Sequence, residues 1–204
     1  GGNSVRLLRD ARENYPAWLD AIERARAHVH FENYIFSEDE TGNAFADALI
    51  RKARDGVSVR LIYDWLGCFG KASGRFWNRL QAGGVEVRCY NPPRLESPLG
   101  WLSRDHRKML SVDGEIAFIT GLCVGRAWEG VPDKSIDPWR DTGIEVRGPA
   151  VAATEDAFAQ VWAMTGEPIP EHHRDDAKVL RDAGDIRLRI VASVPATAGM
   201  LRVD

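Results

Sequence analysis

Cysteine is scarce: the 204-residue chain holds three, at positions 68, 89 and 123, an odd count with no framework spacing. That excludes a disulfide scaffold and points to reduced thiols in a cytoplasmic setting. Long apolar runs are missing too; none approaches the ~20 residues that a membrane-spanning helix needs. Charge of one sign is also lacking, since 27 basic against 30 acidic side chains leave a net charge of −3. No global field for nucleic acid follows from that balance, although a local basic patch stays open. The start, Gly1-Gly2-Asn3, has no Met; it reads as a trimmed end or a cloning remnant and leaves a leader or anchor upstream open. What is present is ordinary globular material, 44% hydrophobic and 28% charged. It suffices for one ample domain, or for one domain and the start of another.

Strands and helices alternate along the chain. Val5 to Leu8 forms a short strand, and Pro16 suits the first turn of a helix whose stripe is Trp18, Ile22 and Ala25. "HVHFENYIF" (28–36) is strand-like, and Thr41 or Asn43 caps a helix that stops at Asp55-Gly56. The strand "VSVRLIYDW" (57–65), a helix around Phe76 and Leu80, and the strand "VEVRCY" (85–90) follow. Short connections between these elements imply βαβ units and a largely parallel core. Then the pattern changes: "RKMLSVDGEIAFITG" is two apolar runs joined by Asp113-Gly114, a strong hairpin signal. Cys89 and Cys123 fall in apparent strands, "TGIEVRG" (142–148) reads as another, and a helix through Phe158 and Trp162 closes at Gly166. The expectation is an α/β fold, a mixed sheet with helices on both faces. Residues 167–184 read as a linker, and "DIRLRIVAS" (185–193) as a strand that opens an incomplete second repeat over 185–204.

His106 and Lys108 stand two apart at the head of an apolar strand, so their side chains share a face with Arg107 opposite. An imidazole beside an ammonium suits phosphate chemistry: the Lys neutralises non-bridging oxygens while a neutral ring nitrogen attacks phosphorus. The other ring nitrogen then needs an acceptor to hold it. Asp141, at the head of the strand 142–148, is the chosen candidate. On the bare H-x-K pattern a solvated strand end is the favoured reading, since short motifs match by chance.

The wider context goes further. "HRKMLSVDGEIAFITG" resembles the H-x-K-x4-D motif of the phospholipase D superfamily. "YPAWLDAIERARAHVHFENYIF", "ALIRKARDGVSVRLIYD", "GVEVRCYNPP" and "PWRDTGIEVRGPAV" are similar, in order, to the N-terminal half of bacterial cardiolipin synthases, over about residues 4–165. The resemblance implies a phospholipase D-like α-β-α sandwich over 1–166 and a phosphatidyltransferase without cofactor or metal, active in the presence of chelator. His106 would form a phosphohistidine, Lys108 bind phosphoryl oxygens, and Asp141 hydrogen-bond His106. Asp113 belongs to the motif, but on physical grounds it sits too far along to touch phosphate and braces the hairpin. Glu32 matches an acidic residue of the family's E-x-Y-I-F strand and is expected at the substrate. Cys123 stands where the family has Asn, in "TGLC"; a thiol is a weaker donor to phosphate than an amide, and nothing nearby activates it as a nucleophile.

Such a transfer wants two histidines, one to attack and one to protonate the leaving alkoxide. The chain has one motif, so the partner motif is expected from a missing C-terminal half or from a homodimer. Phospholipid at a peripheral, inner-membrane surface is the expected substrate. The Trp101 loop, "PPRLESPLGWLS" (92–103), would meet acyl chains or that surface, or simply pack as an Ω-loop. The alternatives are a one-motif phosphodiesterase acting on nucleic acid, against which the net charge leans, and a decayed phosphate- or membrane-binding relative. His172-His173 with Asp175-Asp176, and His28 with His30, have metal-like spacing; solvated loop residues and satisfied strand residues explain them as well.

Overall fold

The alternation between Ser4 and Tyr90 is realised strand by strand in the computed structural model, which describes residues 1–93, 103–130, 134–171 and 182–192. In chain order these are β1 (Ser4–Arg9), α1 (Asp10–Arg24), β2 (His28–Asn33), α2 (Glu40–Arg54), β3 (Ser58–Asp64), a one-turn α3 (Trp65–Cys68), α4 (Gly74–Ala82) and β4 (Glu86–Tyr90). The hairpin β5 (Met109–Val112) and β6 (Ile116–Thr120) follows, then β7 (Thr142–Arg147) and α5 (Ala150–Met164). The seven strands form one sheet in the order β1-β7-β6-β5-β2-β3-β4. Only β2, β3 and β4 run parallel; the other pairs are antiparallel. The parallel core expected from sequence is therefore confined to the first βαβ units. Asp113 and Gly114 both have positive φ (55° and 65°), and Glu115 N donates to the Val112 carbonyl across them (3.0 Å), closing the tight turn between the paired Val112 and Ile116.

β2 lies in the middle of the sheet and is buried along its whole length. Its side chains alternate between two layers. Phe31 points toward α1 and α2, where Trp18 and Phe45 meet it edge-on or tilted. His30 points the other way and stacks on Phe158 of α5 at 4.6 Å. Burial of each large apolar side chain contributes roughly 1.5–3 kcal/mol, and the two helix layers together give the α-β-α sandwich. No helix among the described residues is long and apolar enough to cross a membrane.

Several local expectations are corrected. α1 begins at Asp10, so Pro16 lies inside the helix rather than in its first turn. The start is set by one tertiary contact, Asp10 N donating to the Asp141 carbonyl (2.8 Å), and by one local bond, Arg9 N donating to Glu13 (2.8 Å). A mid-helix proline costs about 3 kcal/mol, which the burial of Tyr15, Trp18 and Ile22 offsets. The cap of α2 is Asp39, whose carboxylate accepts from Gly42 N; Thr41 and Asn43 are already helical. Cys123 lies beyond the end of β6, not in a strand. The stretch read as the opening strand of a second repeat forms no strand over 185–192. It makes one bridge, Ile186 to Asn3, while Leu188 and Ile190 pack beside Val146 and Val151.

Candidate active site

His106 and Lys108 precede β5 in extended chain rather than heading it, since the strand begins at Met109. Side-chain alternation holds all the same. Arg107 turns toward α5, donating to Glu32 through two bonds of 2.8 Å and to the Ala157 carbonyl. His106 and Lys108 turn together to the opposite side, with Lys108 Nζ 3.1 Å from His106 Nδ1 and 2.6 Å from the His106 carbonyl. The segment is fastened upstream as well: Arg104 and the Asp105 backbone amide both bond the Asp64 carboxylate at the end of β3, at 3.1 and 3.0 Å. Asn91, in the left-handed region at φ 48°, donates to the Ser103 carbonyl at 2.8 Å. Every residue from 103 to 105 thus has a fixed place before the histidine is reached.

His106 is exposed and lies against the Tyr34 ring, centroids 4.5 Å apart. Partial burial and then the Lys108 ammonium lower its proton affinity below the ordinary 6.5, while Asp64 and Asp105 oppose that. The neutral ring that nucleophilic attack requires is therefore favoured at neutral pH. Lys108 is 6% exposed and sits over the Tyr34 face at 5.3 Å. Its own proton affinity is lowered by burial and supported by Cys123, Asp105 and Asp141.

These two side chains line an open cleft of about 660 Å³ together with Asp141, Trp128 and Trp139. Asp141 is held by Asp10, which accepts from its amide at 3.0 Å, and its carboxylate accepts from Thr142 N at 2.7 Å. It lines the same cleft as His106 and makes no hydrogen bond to it; Nδ1 lies beside Lys108 Nζ instead. Gly121 lets the carboxylate settle there, since a Cβ at that position would stand 2.2 Å from Asp141 Oδ1. Cys123 also lines the cleft and is buried. Burial pushes its thiol up to about 11, with Lys108 pulling the other way, so it stays protonated at neutral pH. Trp128 meets Trp139 edge-on at 5.0 Å, and Trp139 remains largely exposed at the cleft mouth.

Glu32 is the correction. Expected at the substrate, it has 0% exposure and faces away from the cleft, holding Arg107. Burial first, and then the neighbouring Asp105, raise its carboxyl well above the ordinary range, against the pull of Arg107. Asp113 sits at the opposite end of β5 from His106, where its carboxylate accepts from three backbone amides, Arg26, Ala27 and His28, each at 2.8 Å. Trp101 and the His172-His173 pair lie outside the described residues. His28 and His30 do share a face, with Glu155 beside them. His28 Nε2 and Glu155 are hydrogen-bonded at 2.7 Å, closer than two ligands of one tetrahedral metal stand. The Arg60 guanidinium, 3.5 Å from His30 Nε2, further disfavours a cation. Asp64, Arg104, Asp105 and Tyr34 escaped the sequence reading; the charged run "RDHRK" and the Asp closing "LIYD" were the available signals.

Residues 18–127, more than half of the chain, match the family described as cardiolipin synthase, PLD-like domain. A cardiolipin synthase of Alkalihalophilus pseudofirmus is 35% identical over 197 residues, covering 96% of this chain and 39% of its own length. The major cardiolipin synthase ClsA of Bacillus subtilis is 34% identical over 199 residues, with 95% and 40% covered. The chain thus spans about two fifths of the length of these curated relatives. Among solved structures, the phospholipase D family member Nuc from Salmonella typhimurium aligns with a TM-score of 0.61 at 16% identity, over 82% of this chain and 98% of that one. Phosphatidylserine synthase of Haemophilus influenzae aligns with a TM-score of 0.58 at 13% identity, over 87% and 42%. At those identities the likeness is one of fold.

Proposed function

Because the chain belongs to the cardiolipin synthase, PLD-like domain family, we propose that it supplies the phosphohistidine-forming motif of a phosphatidyltransferase that makes cardiolipin-like lipids. The observation that carries this is the exposed His106 ring beside a mostly buried ammonium, 3.1 Å from Nδ1, at an open cleft. His106 Nε2 attacks the phosphorus of a phosphatidyl donor. A P–N bond forms as the P–O bond to the leaving alcohol breaks, and the alkoxide takes a proton from a second histidine. That same histidine then removes the proton of an acceptor alcohol, whose oxygen attacks phosphorus and releases His106. Lys108 holds the non-bridging oxygens throughout.

The hydrogen bonding sets one requirement. An ammonium that donates to Nδ1 leaves the ring proton on Nε2, the atom that must attack. Attack therefore requires phosphoryl oxygens to take over Lys108, so that the proton can sit on Nδ1. Donor binding and nucleophile activation are then one event. The second histidine comes from another motif of a longer protein or from a second copy of this chain, and the reaction takes place at a peripheral membrane surface.

The test is single-turnover labelling with phosphatidylglycerol carrying a radiolabelled phosphate. An acid-labile, base-stable label on the chain, absent in His106→Ala, is expected, and it should form equally in EDTA because the chemistry needs no metal. Label that survives in His106→Ala, or that requires a divalent cation, refutes the mechanism. Cleavage of double-stranded DNA with no labelling from lipid would favour the one-motif phosphodiesterase reading.

A further inference from the structure

Asp64 ends β3 and caps the one-turn α3. Its Oδ1 accepts from Leu66 N (2.9 Å), Gly67 N (3.0 Å) and Arg104 Nη1 (3.1 Å). Capping uses that oxygen alone. The other, Oδ2, accepts from the backbone amide of Asp105 at 3.0 Å, the residue immediately before His106. The carboxylate is buried, as is Asp105, and both ends of the contact are fastened independently. β3 is hydrogen-bonded on both sides, and the Asp105 carboxylate faces Arg107, which Glu32 holds. A single carboxylate thus joins a rigid strand end to the peptide that carries His106.

We infer that Asp64 is a positioning residue for His106: it sets where the imidazole stands in the cleft and supplies the buried negative charge that faces it. Its meaning for catalysis rests on the reading of His106 as the nucleophile; the placement itself does not. The charged and titratable groups around His106 are few enough to name. Lys108 comes from its own segment and Tyr34 from the end of β2. Asp64 with Arg104, and Asp105, lie behind it. Cys123, Asp137, Arg140 and Asp141 line the same cleft. Of the carboxylates, Asp64 and Asp105 are the two that raise the ring's proton affinity, and Asp64 is also bonded to the His106 segment's backbone. The first cross-strand bond of this segment is the one from Thr120 N to the Lys108 carbonyl (3.2 Å); upstream of it the peptide before His106 is held by Asp64, and small misplacements are costly to reaction geometry.

Asp64→Asn separates positioning from folding. Asn is as good a cap as Asp, so its oxygen keeps the three donors of the α3 side. Its NH2 then confronts the Asp105 amide, donor against donor. The experiment is NMR of the 204-residue chain, following amide exchange at Asp105 and the titration of the His106 Hε1 signal, identified by its loss in His106→Ala. Expected in Asp64→Asn is exchange at Asp105 about tenfold faster, the loss of one ordinary hydrogen bond, and a His106 titration displaced to lower pH. The signals of the buried His28 and His30 should hold as fold controls. A folded Asp64→Asn with wild-type Asp105 exchange and an unmoved His106 titration overturns the inference. If that variant does not fold, Arg104→Gln decides. It leaves the Asp64–Asp105 bond intact and removes the cation that partly neutralises the carboxylate, so His106 should titrate at higher pH with Asp105 still protected. An unmoved titration there overturns the inference equally. Neither readout requires turnover, so a chain that fails to form phosphohistidine leaves this result standing on its own.

Discussion

Replacing Asp113 separates bracing from chemistry inside the motif itself. Its carboxylate takes three amide hydrogen bonds of 2.8 Å, two on Oδ1 from Ala27 and His28 and one on Oδ2 from Arg26. Bonds to a charged acceptor contribute about 1.5–3 kcal/mol each. Two of these donors lie at the surface, where water can replace the lost partner, so the sum is well below additive. Asp113 also occupies the left-handed region at φ 55°, which Asn tolerates and Ala does not. Asp113→Ala should therefore lose about 3–4 kcal/mol and Asp113→Asn, which keeps one oxygen for two amides, about 1–2 kcal/mol. For a chain of this size that is a fall in Tm of about 6–16 °C and about 2–8 °C respectively. Calorimetry and urea titration measure it, and His106 labelling at a temperature where all three proteins are folded should give similar rates. Equal losses for Ala and Asn would refute the bracing argument. A folded Asp113→Asn that labels a hundredfold more slowly would show that the residue acts in the chemistry after all.

The lowered proton affinity of His106 means that the attacking form prevails at neutral pH and is lost as pH falls through the lowered value. Labelling should decline as pH falls through that lowered value and decline again as the proton-donating second histidine loses its proton, a bell-shaped profile; a rate that keeps rising toward acid contradicts this. Lys108→Met removes the nearby cation, so by NMR His106 should titrate at higher pH than in the wild type, and a move to lower pH would be inconsistent with the 3.1 Å contact. Cys123, buried with its thiol pushed up to about 11, should resist iodoacetamide at pH 8 in the native protein and react on unfolding. Rapid native alkylation there would contradict both its burial and its inertness. Glu32→Ala leaves the Arg107 guanidinium against Ala157 without its two carboxylate bonds, and removing one partner of a buried pair costs about 3–5 kcal/mol. A Tm within 3 °C of wild type would show that Arg107 finds other partners.

How far the fold is legible depends on which contacts decide each element. The β5–β6 hairpin follows from Asp113-Gly114 because the turn's positive φ angles are a local demand. The stop of α2 at Asp55-Gly56 is equally local, with Gly56 at φ 89°. α1 starts before the turn that Pro16 suggests because its start is decided by Asp141, far along the chain, accepting from Asp10; Pro16 is the stronger local signal and loses to it. The stretch from Ile186 to Ile190 alternates like a strand. Burial against Val146 and Val151 satisfies part of that alternation without a ladder, and period-two hydrophobicity cannot tell the two apart.

The site divides along the same line, for a reason visible in "RDHRK". Extended chain puts neighbouring residues on opposite sides, so a motif with alternating roles must carry its ligand-facing and its anchoring residues interleaved. His106 and Lys108 are legible because their chemistry is carried by their own side chains. Arg104, Asp105 and Arg107 read as solvated charges until their partners are known, and those partners, Asp64 and Glu32, stand 40 to 75 residues earlier on β3 and β2. Glu32 illustrates the consequence: an acidic residue near a phosphate motif is easily taken for a substrate contact. A carboxylate with no exposed surface, bonded twice to the arginine between His106 and Lys108, instead fixes the direction in which that arginine, and hence its neighbours, must point. The charges that face away from the cleft decide which ones face it.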